Sequence, residues 1–401
     1  MDVGLNPVIA PEVSLLAIGY LLLGIGLGTC SGLTPGIHAN NFALLLAGLA
    51  PMMPGPPLMV GIAMLSAGVT HTFLDAVPAL AIGVPEAEMA VAALPGHKLV
   101  LEGRGREAMR LSAVGSIIAV ILAIPLAIPI TLAMIRWYPV LQRHMPVVLG
   151  TVAVVLIATE STRRGMLTGL LGFLVSSAFG LLILDLEPDA PLGEGGVLAP
   201  LFAGLFGAPV LIDAMGGGGV PPQGDAKLRV SRREVAIPAS AGSVSGAIVG
   251  YLPGVSSAIA AVVALLSVPN DDPDRGFVVA TSGVDTSNTI FALFALVALG
   301  TPRTGVLVAV DEAGVPLNLP VMVATVAASA GVAFILVLVL GDWYLTSVGQ
   351  VNYTIVCGGI LGLLVILSWL FSGFIGIGIF LASTLIGYIP VKGGSKRVHL
   401  M

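Results

Sequence analysis

Gly24-x3-Gly28-x3-Gly32-x2-Pro35-Gly36 returns later in the chain as Gly242-x3-Gly246-x3-Gly250-x2-Pro253-Gly254, 218 positions downstream (253 − 35). Both copies sit inside long apolar stretches. A second pair keeps nearly the same offset: Thr70-His71-Thr72 leading to Gly83-x-Pro85, and Ser287-Asn288-Thr289 leading to Gly300-x-Pro302, 217 positions apart (302 − 85). Two segments at one offset predict an internal duplication. In an apolar chain, duplicated segments interrupted by Gly and Pro at corresponding positions point to a site between two repeats.

Composition decides the class. Of 401 residues, 56% are hydrophobic and only 10% charged, and the mean hydropathy is +1.03. Too little polar surface remains to cover a water-soluble fold. Apolar runs of about 20 residues, enough to cross the hydrocarbon as helix, recur along the chain, and the short alternating segments of a β-barrel are missing. The expectation is an all-α polytopic protein of the cell membrane with about 10–12 membrane segments. Candidates lie at 13–50, 56–82, 111–135, 145–160, 165–184, 197–215, 236–268, 276–300, 304–340, 353–371 and 373–390. The first run has no Lys or Arg before it and no small-residue cleavage site after it, and is expected to be a retained helix. Residues 1–215 form the first half and 236–401 the second. The Gly216 to Pro222 run and the basic stretch after it make 216–235 the joint.

The runs 13–50 and 236–268 are too long for one straight crossing, and Pro-Gly falls near their middles. Proline removes a backbone donor and glycine permits a reversal, so each predicts a broken or re-entrant helix. Such a break survives in hydrocarbon where it lines a cavity or meets protein partners. The amides of a helix restarting after Pro35-Gly36 or Pro253-Gly254 suit a carboxylate or phosphate. His38, Asn40 and Asn41 in the first copy, and Ser256 and Ser257 in the second, add side-chain donors. Thr70, Thr72, Ser287, Asn288 and Thr289 complete the candidate substrate contacts. His71 and Asp75, spaced i, i+4, share a helix face. With Asp285 they are the ionisable groups expected to carry a coupling ion, because ionisable residues within membrane segments are costly. The bland alternative makes the glycines a packing stripe and the carboxylates helix caps. Glu86 and Arg303, directly after Pro85 and Pro302, are candidates for cavity mouths, and the charged run Glu102 to Glu107 reads as a solvated loop.

The five histidines are dispersed, and no hydrolase, ATP-binding or metalloprotease signature occurs, so neither an enzyme, a cofactor nor a metal site is expected. Cys30 and Cys357 lie in apolar segments and imply no disulfide. The mild net charge of −5 makes nucleic acid an unsuited partner.

The paired Pro-Gly segments, Gly83-Val84-Pro85 leading to Leu94-Pro95-Gly96-His97-Lys98 and Gly103-Arg104-Gly105-Arg106, and Ser287-Asn288-Thr289 to Gly300-Thr301-Pro302 resemble the TctA family, with an archaeal-type branch nearest. Its members are the large membrane subunits of tripartite tricarboxylate transporters, and the likeness runs over residues 13–390. The resemblance implies a secondary permease for a small organic anion, a di- or tricarboxylate, driven by Na⁺ or H⁺. It also implies a small membrane subunit and an extracytoplasmic binding protein as partners. A translocase for a lipid-linked phosphate is the alternative, since paired Pro-Gly hairpins suit that headgroup equally.

Basic residues cluster at Lys98 to Arg110, Arg163-Arg164, Lys227 to Arg233 and Lys392 to Arg397, while 185–196 is acidic. By the positive-inside rule the four basic segments are cytoplasmic. A cysteine placed at Asp189 is therefore expected to react with an impermeant thiol reagent applied to intact cells, and one at Arg106 to be spared. The reverse pattern would overturn the assignment.

Overall fold

The computed structural model describes residues 11–34, 55–83, 93–158, 160, 162–191, 193–194, 196–215, 220–224, 230–252, 257, 260–261, 264, 273–348, 353–395 and 397–400. Its helices are α1 (Pro11–Leu33), α2 (Pro57–Leu74), α3 (Ala76–Ile82), α4 (Ala93–Leu101), α5 (Gly105–Arg143), α6 (Met145–Ala158) and α7 (Arg163–Ile183). There follow α8 (Leu198–Phe202), a π-helical turn (Ala203–Gly207), α9 (Ala208–Ala214), α10 (Arg232–Tyr251), α11 (Pro273–Leu299), α12 (Gly305–Glu312), α13 (Leu319–Val348) and α14 (Tyr353–Gly393). A two-residue hairpin, Asp189–Ala190 against Gly193–Glu194, is the strand pairing among the described residues. The protein is an all-α, multi-pass membrane protein. Among the described residues, seven helices are long and apolar enough to cross a membrane.

Among the described residues each apolar stretch of the sequence carries helix, although some features depart from the sequence reading. The stretch 304–340 is α12 and α13, separated at Gly314, whose φ of 63° ends the first helix. Asn318 then caps the second, its side chain accepting from the Val321 amide. The run Glu102 to Glu107 is no simple solvated loop: Glu107 is buried in α5, where it accepts from Arg104 and, at 2.7 Å, from Arg275 of α11. The 41-residue α14 is two arms. Gly373 is left-handed, and a Cβ on Gly376 would lie 2.2 Å from the Ser368 carbonyl oxygen, an approach possible only if the chain folds back there.

The centre is built on glycine. A Cβ added to Gly24 or Gly28 of α1 would stand 2.2 or 2.3 Å from the carbonyl oxygens of Ala63 and Ala67 in α2, and on Gly32 it would stand 2.9 Å from Leu74 Cβ. On Gly242, Gly246 and Gly250 of α10 it would stand 2.4 Å from the Ala280 carbonyl oxygen, 2.0 Å from Ser287 Oγ and 2.6 Å from Phe291 Cβ of α11. The contacted positions repeat at the sequence offset, Ala63 against Ala280 and Leu74 against Phe291 each being 217 apart (280 − 63, 291 − 74). In both pairs the numbers rise together, so the paired helices are parallel.

The two pairs run in opposite directions. A Cβ on Gly96 of α4 would press on both Leu80 near the end of α3 and Val278 near the start of α11. Lys98 reaches Asp274 at 2.6 Å at the same end. The α2/α3 rod therefore arrives where α11 departs. The outer helices are exchanged: α5 lies along α11, Gly115 at Val279 and Ala119 at Gly283, while α13 packs along α2. Arg106 of α5 pairs with Asp342 near the end of α13, placing that helix end with the others.

This end also holds the described residues of the other basic segments. The Gly224 amide donates to the Gly103 carbonyl, and Gln223 Nε2 to that of Val100. Arg164 donates to the Lys392 carbonyl beside it. The acidic hairpin lies at the far end, where Ser372 donates to the Gly196 carbonyl. Trp137 and Trp369 sit exposed toward the far end and Trp343 toward the basic end, as expected of rings at the two membrane interfaces. His97 is held beneath Gly83, its Nδ1–H donating to the Leu80 carbonyl. Burial pushes its imidazole below the ordinary value, and that hydrogen bond opposes the shift.

Gly246→Leu is expected to force α10 from α11 and destabilise the fold by about 1–3 kcal/mol or more. Gly26→Leu, on α1 with nothing within 4 Å, is expected to be near neutral. Thermal melting of the detergent-solubilised protein compares them, and equal melting temperatures would refute the glycine contact.

Candidate functional site

The two most buried spans are α2/α3 and α11, with 89% and 83% of their apolar windows inside the protein. They carry the polar residues picked out in the sequence. Thr70, His71, Thr72 and Asp75 are buried on one rod, and Asp285, Ser287, Asn288 and Thr289 on the other. Depth follows from helical rise, about 1.5 Å per residue. Counting from Leu80 and Val278, which meet Gly96 together, His71 lies about 13 Å and Asn288 about 15 Å into the bundle. Because the rods run oppositely, Thr70-His71-Thr72 and Ser287-Asn288-Thr289 come to one level.

Each rod divides its faces. On α11, Ser287 turns to α10, donating to the Gly283 carbonyl at 2.6 Å opposite Gly246. Ser282 turns to α5, where its Oγ meets Ser112 Oγ at 2.8 Å and Ser116 donates to the Ser282 carbonyl, while Thr286 also donates to that carbonyl. The remaining face bears Asp285 and Asn288, spaced i, i+3. On α2, Thr72 donates to the Val69 carbonyl at 2.9 Å. His71 Nδ1 lies 2.9 Å from Ser31 Oγ of α1, and Ser31 is 3.2 Å from the Gly28 carbonyl. With the serine proton directed to Gly28, His71 donates through Nδ1.

Several buried side-chain atoms have no hydrogen-bond partner among the described residues, Thr70 Oγ1, Asn288 Oδ1, Ser257 Oγ, Thr301 Oγ1 and Arg303 Nε among them. An unsatisfied buried polar atom costs about 1–3 kcal/mol, so these are candidate positions for contact with a ligand. Asp75 stands where α2 gives way to α3. Pro78 lacks the amide that would bond the Leu74 carbonyl, which loosens the ladder there. The Asp75 side chain makes no cap bond to α3, and Asp285 lies within continuous α11, so neither carboxylate acts as a helix N-cap.

Pro35, Gly36, His38, Asn40, Asn41, Pro253, Gly254 and Ser256 lie outside the described residues, as does Glu86. Ser31 was not picked out in the sequence, since one serine in a glycine stripe carries no signal until the parallel register of α1 and α2 is known. Tyr138 and Tyr251 were missed likewise. Tyr251 hydrogen-bonds Thr131 of α5, and Tyr138 accepts from Arg303.

Thr70→Val removes an orphaned hydroxyl while keeping its volume. It is expected to stabilise the ligand-free fold by about 1 kcal/mol or more, read as a higher melting temperature. Thr72→Val deletes a hydrogen bond instead and is expected to lower it. A lower melting temperature for Thr70→Val would mean that its hydroxyl is already satisfied.

A sequence profile described as the tripartite tricarboxylate transporter TctA family matches residues 18–401. An uncharacterized protein of the archaeon Methanocaldococcus jannaschii is 28% identical over 350 residues, covering 84% of this chain and 83% of its own. No solved structure matches the chain.

Proposed function

The chain belongs to the tripartite tricarboxylate transporter TctA family, and we propose that it is the permease subunit moving a di- or tricarboxylate by alternating access between two inverted repeats, 1–215 and 236–401, joined by 216–235. The family gives it a transport role. The observation that carries the finer reading is the matched glycine register on two oppositely directed helix pairs, with the Thr70-His71-Thr72 and Ser287-Asn288-Thr289 motifs at one depth. Opposed repeats meeting near mid-membrane are the usual frame for a rocking transporter.

In this reading the substrate's carboxylates take hydrogen bonds from the two Pro-Gly segments, with Pro35, Gly36, His38, Asn40 and Asn41 on one side and Pro253, Gly254, Ser256 and Ser257 on the other. Thr70, Thr72, Ser287, Asn288 and Thr289 stand behind them. Thr70 is the best supported, since its buried hydroxyl has no hydrogen-bond partner among the described residues. Asn288 serves the anion by turning its amide N–H groups to it. Asp285, Asp75 and His71 carry the coupling Na⁺ or H⁺, because a carboxylate this deep is stabilised in its charged form by a cation and in its neutral form by a proton. The partners fit the family: a small membrane subunit and an extracytoplasmic binding protein that delivers substrate to the far end.

Proteoliposomes under an imposed Na⁺ or H⁺ gradient, offered labelled citrate or succinate, test the assignment. Wild-type protein is expected to accumulate one of these. Asp285→Asn is expected to abolish gradient-driven accumulation, whereas Asn288→Ala is expected to weaken binding by about 1.5–3 kcal/mol. Accumulation by Asp285→Asn equal to wild type under both gradients would remove the coupling role.

A further inference from the structure

We propose that Arg303 is a cationic ligand for one carboxylate of the transported anion, presented by a segment that dips back into the bundle. This deepens the carboxylate reading above and rests on it.

The dip follows from contacts. Leu299, the end of α11, is 21 residues beyond Val278 (299 − 278), a rise of about 31 Å. Seven residues later, Val306 packs against Gly68 of α2, only 12 residues from Leu80 (80 − 68) and so about 18 Å from the same level. Val315 then packs against Gly61, nearer the far end. The chain thus turns at left-handed Gly300, descends through Thr301-Pro302-Arg303-Thr304 and climbs again along α12. Pro302 suits the extended descent, and Thr304 caps α12 by accepting from the Leu307 amide.

Arg303 is held on this descent with most of its donors unspent. One terminal nitrogen donates to the Tyr138 hydroxyl, and the guanidinium carbon lies 5.4 Å over that ring. Its Nε is buried with no hydrogen-bond partner among the described residues, and the same holds for Thr301 Oγ1 two positions earlier. A guanidinium has five N–H donors in a rigid fork matched to a carboxylate. Burying one of those donors without an acceptor is costly. A carboxylate restores the missing acceptor and takes a second hydrogen bond from the fork, with Thr301 Oγ–H able to add a third. Tyr138 contributes by anchoring the guanidinium through its hydroxyl and by the attraction of its ring for the cation. The start of α12 adds its positive helix end at the same place. By the same count Tyr138, 23 residues beyond Gly115 (138 − 115), stands well toward the far end, so Arg303 meets the anion on that side and Thr70 Oγ1 and Asn288 lie much deeper.

The test compares wild type, Arg303→Gln, Arg303→Lys and Thr301→Val in proteoliposomes with citrate and succinate, and by melting with and without each acid, with inorganic phosphate as control. Wild type is expected to be stabilised by at least one of the acids. In Arg303→Gln the half-saturating concentration for uptake is expected to rise about 10- to 100-fold, as for loss of a hydrogen bond to a charged group, with the acid-dependent melting shift lost. Arg303→Lys keeps the charge without the fork and is expected to fold normally yet bind at least several-fold more weakly, and Thr301→Val to show a smaller loss. Wild-type affinity in Arg303→Lys and Thr301→Val would overturn the proposal even if Arg303→Gln failed to fold. If wild type responds to an acid and Arg303→Gln responds equally, Arg303 alone is refuted. If wild type responds to neither acid, or to phosphate alone, the carboxylate reading falls and takes this inference with it.

Discussion

Close approach of backbones at glycine underlies the rest of this structure. In lipid, apolar side chains gain little by leaving one apolar medium for another, so helices associate where small residues let main chains touch and dispersion contacts accumulate. The stripes Gly24-Gly28-Gly32 and Gly242-Gly246-Gly250 bring α1 against α2 and α10 against α11 at separations that a single methyl group would prevent. Each stripe also spends one face of its partner rod on packing. Ser287, opposite Gly246, is consumed there by bonds to backbone carbonyls, which leaves Asp285 and Asn288 to look elsewhere.

Opposed direction then brings the two polar motifs to one level. Repeats running the same way would share a depth at any level, whereas opposed repeats share one only near the middle of the bundle. With α2 arriving at the end from which α11 departs, residues 71 and 288 reach the same level from opposite ends, and polar groups from both rods converge where the bilayer is least tolerant of them. The fold accepts that cost locally: Pro78 loosens α2 beside Asp75, and Thr70, Asn288 and Ser257 keep oxygens unmatched. At the basic end the opposite economy holds. Glu107 is buried and shared by Arg104 and Arg275, tying α5 to α11, whereas the exposed Lys98 to Asp274 pair contributes at most a fraction of a kcal/mol.

Much of this was legible from residues alone. Composition and run length set the class, and the repeated Gly and Pro pattern located the segments that pack at the centre. Mistakes arose where a local rule met a distant partner. Residues 304–340 read as one apolar stretch because Gly314 and Pro316 interrupt hydropathy only slightly, although together they end one helix and delay the next. Glu102 to Glu107 read as solvated because charge density is a local property, while the burial of Glu107 depends on Arg275, 168 positions away. Arg303 was noticeable as an arginine after proline, but nothing nearby in sequence announced Tyr138.

What the sequence determined by itself was therefore everything that periodicity and composition encode: an all-α membrane chain, its apolar segments, two related glycine stripes and the polar motifs behind them. Tertiary structure alone decided the direction of one stripe relative to the other, the common depth of the two motifs, the exchange of α5 and α13 between the pairs, and which hydroxyls are spent on the backbone. The physical reason is that a helix and its apolar faces arise from contacts three or four residues apart. Direction and depth depend on contacts between segments hundreds of residues apart, and a repeated pattern reads identically whether its second copy points up or down.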